Sequence, residues 1–413
     1  MVMSVPARQS RITGRHYDRR RMSIERLVVV GAGLAGTRAA VAARKAGFAG
    51  DLTVIGDEQH QPYTRPPLSK QLLAGEQDVE RVLLPGRDQA EATWELGVAA
   101  SGLDRARKAV QLEDGREIAY DRLILTPGSR ARPWPGQPVP AGVLTLRSLD
   151  DALAPGAVLE ERPARLVVVG AGFVGSEVAA TAATAGVPVT LVDVAPHPVT
   201  PFGPELGALV AERHRASGVD LRTGTGVDAF EADAEGRLRS VHLSDGTEIE
   251  TRHALVALGA LPNTDWLSGS GLELDAGALV CEATLTTTAD PDVLAAGDPV
   301  LWPHPLAGGA AVRVEHWTTA SEQGQAAGRN ALLEPSEREP YVSPPFFWSD
   351  QYELKLQAAG VLQQAEQFEL AEQDEERGAR VYAGTRDGRL VAVIGVNAAV
   401  LFGPYRQRLT TEV

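Results

Sequence analysis

Gly31-Ala32-Gly33-Leu34-Ala35-Gly36 and Gly170-Ala171-Gly172-Phe173-Val174-Gly175 are two copies of one glycine pattern, each preceded by an apolar run and followed by an Ala-rich stretch. The runs Leu27-Val28-Val29-Val30 and Leu166-Val167-Val168-Val169 predict buried parallel strands, because helices cover both faces of such a strand. Glycines at this spacing permit a tight turn, close approach of backbone to a pyrophosphate, and tight packing of helix on strand. One copy could arise by chance, whereas two copies imply two dinucleotides.

An acidic residue follows each copy where it would meet an adenosine ribose, about 20 residues beyond the last glycine. After Gly36, Asp51-Leu52-Thr53-Val54-Ile55 reads as a second strand, with Asp57 just past its end. After Gly175, Val189-Thr190-Leu191-Val192 ends at Asp193, at a similar remove. The plainer alternative is that both acids cap turns.

The 413 residues suffice for two or three domains with sizeable cores. The formal net charge is -14, although the N-terminal tail up to Arg21 carries six Arg against one Asp. An acidic body argues against nucleic-acid binding, which needs a basic surface. The basic tail over residues 1–21 reads as a disordered extension, with Met22 a natural first residue. No apolar run reaches the roughly 20 residues a membrane span requires. Cys281 is the single cysteine, which excludes a disulfide framework, a Cys-based zinc cluster and an internal dithiol, and suits a reducing cytosol.

The fold class expected is α/β, with two Rossmann-like dinucleotide domains and a small C-terminal α+β domain. Thr126 to Pro135, after the strand Leu123-Ile124-Leu125, reads as the crossing from the first domain into the second. A matching passage runs from Leu255 to Asn263, and the chain returns to the first domain with Val293 to Asp298. The expected division is 22–140 with 264–334, then 141–263, then 335–413. Gln364 to Arg380 is acidic and polar, a solvated loop or hairpin face.

Six short motifs in this order carry a family resemblance: Pro66-Pro67-Leu68-Ser69-Lys70, Gly175-Ser176-Glu177, Leu261-Pro262-Asn263, Ala296-Gly297-Asp298, Arg313-Val314-Glu315-His316-Trp317 and Phe347 to Tyr352. From Ile24 to about Ile394 the chain resembles the FAD-dependent ferredoxin reductases of bacterial oxygenase systems, within the two-dinucleotide disulfide-reductase superfamily of glutathione-reductase-like fold. The resemblance implies FAD on the first fingerprint and NADH on the second. It places Lys70 beside the reactive ring nitrogen of the flavin, paired with Glu177 from the NADH side, as the candidate catalytic residues. It also places Asp298 on the ribityl chain, the Trp317 amide at the pyrimidine end, Arg65 and Arg147 along the FAD, and Ala100 at the adenine. Gly128, Gly259, Gly297, Glu315 and His316 complete the implied cofactor contacts, with Gly31, Gly33, Leu34, Ala35, Gly36, Asp57, Gly170, Gly172, Phe173, Val174, Gly175 and Asp193 from the fingerprints. Taken alone, Lys70 would be a surface lysine and Glu177 a residue favouring the positive end of its helix.

Thr126-Pro127-Gly128, His197 and Thr319 depart from the family pattern, which has Ala-Thr-Gly, an arginine and an asparagine there. Asp193 argues for NADH over NADPH, since a carboxylate repels a ribose phosphate. Hydride transfer needs no protein acid or base, only alignment of the two cofactors. Without a cysteine pair, electrons must leave the flavin directly, toward an iron-sulfur ferredoxin that feeds an oxygenase. An arginine patch at the flavin edge would reconcile an acidic body with an acidic partner. A rubredoxin reductase, an NADH oxidase and a redox signalling protein resembling apoptosis-inducing factor are the alternatives. A cytoplasmic monomer or weak homodimer is expected.

Overall fold

The computed structural model describes residues 24–135 and 138–412. The basic tail at 1–21 lies outside the described residues. Arg26–Val30 forms the centre of a six-stranded sheet, parallel to Asp51–Gly56 on one side and Arg122–Leu125 on the other. Asp290–Ala295 returns, after the whole of a second sheet, to lie parallel to Arg122–Leu125 in the first. Leu27 to Val30 are all buried, as an apolar run covered on both faces requires.

The second sheet repeats the plan with five parallel strands. Leu166–Val169 lies between Val189–Asp193 and His253–Val256, and Val143–Thr145 and Asp220–Thr223 close the edges. Leu34–Lys45 and Phe173–Thr184 are the helices that follow the two central strands. The crossings between the sheets meet as a two-stranded antiparallel ribbon, Ser129–Ala131 against Ala260–Pro262. Asn263 Nδ2 donates to the Pro127 carbonyl at 3.2 Å and ties them further.

The C-terminal segment forms a five-stranded antiparallel sheet in the order Phe346–Gln351, Leu354–Gly360, Arg389–Val396, Ala379–Arg386, Gln367–Asp374, flanked by the helix Ala399–Thr411. The acidic stretch from Gln364 resolves into a hairpin, with Gln367–Asp374 as a mostly exposed edge strand whose charges face water.

The helix Trp317–Asn330 packs along Leu34–Lys45 through glycines one turn apart. A Cβ at Gly324 would lie 2.3 Å from the Ala35 carbonyl oxygen, and one at Gly328 2.3 Å from that of Ala39. That close approach draws Trp317, at the start of its helix, toward the first fingerprint.

Candidate functional site

Within each fingerprint the three glycines answer to different constraints. Gly31 and Gly170 have φ of +112° and +103°, and a Cβ on either would strike a neighbouring carbonyl oxygen at 2.0 and 2.4 Å. Gly36 and Gly175 lie against the backbone of their own turns, with a hypothetical Cβ 1.9 and 1.8 Å from the carbonyl oxygens of Gly31 and Gly170. The middle glycines differ. Gly33 and Gly172 have φ of -76° and -68°, open to any residue, and nothing lies within 4 Å of their missing Cβ. Neither conformation nor packing within the chain calls for glycine there. Each is also the N-cap of a 12-residue helix with no side-chain cap and no acid in its first turn. Free N–H groups and a positive helix end facing open space fit a pyrophosphate at each fingerprint.

A cavity of about 680 Å³ joins the two. From the first sheet it takes Gly31, Gly33, Leu34, Ala35, Asp57, Arg65, Lys70 and Gly128, and from the second Arg147, Gly172, Phe173, Val174, Glu177 and Gly259. Gly297, Asp298, Glu315, His316 and Trp317 line it too, together with Phe347 and Trp348 of the C-terminal sheet. Gly36, Gly170 and Gly175 shape the turns from behind and do not line it. Ala100 lies outside it on the strand Ala100–Asp104. Asp193 does not line it, and accepts instead from the backbone amides of Ala171, within the second fingerprint, at 2.5 Å and of Ala195 at 2.8 Å.

Lys70 follows the short 3-10 turn Pro66–Ser69, whose prolines fix its start. Glu177 sits on the second turn of Phe173–Thr184. They meet with Lys70 Nζ 2.7 Å from Glu177 Oε2, their side chains only 11% and 6% exposed. Ser69 Oγ donates to the same oxygen at 2.5 Å, and Ser349 Oγ to Glu177 Oε1 at 2.6 Å. Among the described residues, these three contacts each bring a donor to the carboxylate oxygens. A buried charge so paired and hydrogen-bonded is sustainable, whereas either partner left alone is not.

Asp298 is gripped by Arg147, whose Nε also donates to the Ser129 carbonyl at 2.9 Å. Arg65 reaches the Arg147 carbonyl at 2.7 Å, pairs with Glu58 at 2.9 Å and lies over the Tyr63 ring. The two arginines thus fasten the wall between the sheets. Trp317 Nε1 donates to Thr64 Oγ1 at 2.9 Å, and its ring meets Trp348 edge to face. His316 packs against Phe347, and burial pushes it down to about 4, so it is neutral at physiological pH.

The departures from pattern have local partners. Thr126 Oγ1 lies 2.9 Å from the Gly31 carbonyl oxygen and 3.1 Å from that of Val30, so its one proton is shared between them and fastens the first turn. The His197 ring packs against Gly207, where a Cβ would lie 2.3 Å from Nδ1. Thr319 is buried in the helix that begins at Trp317. Cys281 is buried in the first core, away from the cavity lining, and burial pushes its thiol well above the ordinary range.

Residues 25–324 match the family described as pyridine nucleotide-disulphide oxidoreductase, and residues 346–413 match a reductase C-terminal domain. The chain belongs to the pyridine nucleotide-disulphide oxidoreductases. Within this family it is similar to the ferredoxin reductase subunit of a 5,5'-dehydrodivanillate O-demethylase from a Sphingobium species, 38% identical over 81% of each chain. It is also similar to putidaredoxin reductase of Pseudomonas putida, 34% identical over 94% of this chain and 92% of that one. Among solved structures, the covalent putidaredoxin reductase–putidaredoxin complex superposes with a TM-score of 0.86 at 32% identity, covering 94% of this chain and 93% of that one.

Sequence reasoning did not single out Ser69 and Ser349, although both lie within quoted motifs. They are 108 and 172 residues from Glu177, and a serine carries no local sign of a carboxylate so distant. Glu58 and Tyr63, which hold the predicted Arg65 in place, were not singled out either.

Proposed function

We propose that this oxidoreductase is an NADH-dependent ferredoxin reductase that holds FAD on the first fingerprint and NADH on the second. The observation that carries the reading is the single cavity lined by both fingerprints with Lys70 and Glu177 paired in its wall. The chemistry FAD supplies when bound is acceptance of a hydride from NADH and release of single electrons to an acceptor. Lys70 places a cation where negative charge accumulates, and Glu177 keeps that ammonium oriented. Arg65, Arg147 and Asp298 hold the FAD side, and Gly172, Phe173 and Val174 admit NADH. Asp193 shapes the second fingerprint while disfavouring a ribose phosphate. The division into 22–140 with 264–334, 141–263 and 335–413 is part of this reading.

The curated relatives include ferredoxin–NAD(+) reductase components of p-cumate and anthranilate dioxygenase systems. By that likeness the acceptor is a small iron-sulfur ferredoxin that feeds an oxygenase, and the protein acts in the cytoplasm as a monomer or weak homodimer. No described helix is long and apolar enough to cross a membrane. Cys281, buried and away from the cavity, offers no thiol to a disulfide substrate. The test measures NADH-dependent reduction of a panel of ferredoxins beside oxygen consumption, with ferredoxin-stimulated turnover expected. Fast oxygen turnover without ferredoxin stimulation would overturn the reading in favour of an oxidase.

A further inference from the structure

We infer that Ser349, on the C-terminal sheet, is a positioning residue for electron entry: it fixes the Glu177 carboxylate and through it the Lys70 ammonium. The inference rests on the proposed role of the Lys70–Glu177 pair and assigns part of that role to a third segment of the chain. Phe347, Ser349 and Gln351 are alternate residues of the strand Phe346–Gln351 and so share one face. Phe173 and Glu177 are four apart on their helix and share one face too. The two faces meet residue against residue: Phe347 packs on Phe173 with ring centroids 4.9 Å apart, and Ser349 Oγ lies 2.6 Å from Glu177 Oε1.

The terminal torsion of a glutamate is broad, so nothing within Glu177 itself fixes the rotation of its carboxylate. Its donors fix it. Lys70 and Ser69 both address Oε2, which leaves Oε1 to Ser349. A serine hydroxyl has one proton and two lone pairs. Gln351 Nε2 donates to Ser349 Oγ at 3.3 Å, so the single hydroxyl proton is directed at Glu177. Ser349 and Gln351 are 0% and 1% exposed, so no solvent is at hand to replace a lost donor. Without the hydroxyl, Oε1 becomes a buried acceptor with no donor, and the carboxylate turns to recover one, drawing Lys70 with it.

The experiment uses the full chain with FAD bound, as wild type, Ser349→Ala and Ser349→Thr. Anaerobic rapid mixing with an NADH series gives the limiting rate of flavin reduction separately from the NADH dissociation constant, with FAD content and thermal midpoint measured alongside. Ser349→Ala is expected to lower the limiting rate about tenfold, the worth of one hydrogen bond to a charged group, with NADH affinity unchanged within about twofold. Ser349→Thr restores the hydroxyl and most of the rate. An Ala variant as fast as wild type, or Ala and Thr variants equally slow, would overturn the inference while leaving the reductase reading intact. A wild-type protein whose FAD is not reduced by NADH would overturn both. Should Ser349→Ala lose FAD, Ser349→Cys takes its place, with a rate cut of at least about threefold expected from its weaker donor and an unchanged rate overturning the inference.

Discussion

Gly172→Ala and Gly175→Ala make the same chemical change within one fingerprint, and the structure assigns them opposite consequences. At Gly172 the backbone is already in a region open to alanine, and the added methyl group meets nothing within 4 Å. The stability change is therefore confined to the difference between glycine and alanine at an N-cap, within about 1 kcal/mol. The methyl group does fill the space from which a pyrophosphate would approach the helix end, so NADH affinity falls at least about tenfold. At Gly175 the methyl carbon would sit 1.8 Å from the Gly170 carbonyl oxygen, and the helix must retreat by about 1.5 Å to reach ordinary contact. Overpacking against backbone costs about 3 kcal/mol or more, a fall in thermal midpoint of roughly 10 °C for a unit of the size of 141–263. Thermal unfolding followed by circular dichroism gives the first quantity, and NADH titration by rapid mixing gives the second. Equal midpoints for the two variants, or Gly172→Ala binding NADH like wild type, would refute the distinction between packing glycines and ligand glycines.

Lys70→Ala and Glu177→Gln each slow flavin reduction by at least about tenfold in rapid mixing, since both disturb the buried pair; Glu177→Ala also loses stability by about 3–5 kcal/mol, because it leaves a buried ammonium unpaired. Asp193→Ala narrows the ratio of NADH to NADPH efficiency in steady-state kinetics and lowers both, because the carboxylate also braces the Ala171 and Ala195 amides. His214 is buried beside Tyr352 and pushed down to about 4 from an ordinary 6.5. Its contribution to stability is complete above about pH 6.5 and is lost progressively as the pH falls to about 4, roughly 3 kcal/mol in all, because only the unfolded chain takes up the proton in that window. Chemical denaturation between pH 7 and 4 should show a shallower decline for His214→Gln. Thiol alkylation of the folded protein or Cys281→Ala leaves NADH turnover unchanged.

The two fingerprints were legible because parallel strands buried on both faces write themselves as unbroken apolar runs, and because glycine is costly wherever it is not needed. The return of Val293 to Asp298 to the first sheet was also readable, from an apolar strand ending in Gly-Asp. What the chain did not display is how its parts meet. Gly324 and Gly328 look like weak points in a helix until the Ala35 and Ala39 carbonyls lie against them. Asp193 stands where a ribose ligand is expected, yet its local spacing does not reveal that two backbone amides already claim its oxygens. Ser349 reads as an ordinary serine in a strand, because its meaning depends on a helix 172 residues earlier.

The interrupted path of the first sheet has a consequence for synthesis. Arg122–Leu125 gains its outer neighbour only when Asp290–Ala295 has left the ribosome. The second sheet, by contrast, takes all five of its strands from one continuous span between Val143 and Val256. Domains fold as units as the chain emerges, and pairings distant in sequence form late. The nascent chain therefore carries four of the six strands of the first sheet, with the Arg122–Leu125 edge unpaired, while all five strands of the second are already present. Until that strand arrives, the edge presents unpaired backbone N–H and C=O groups, a template on which another strand can pair.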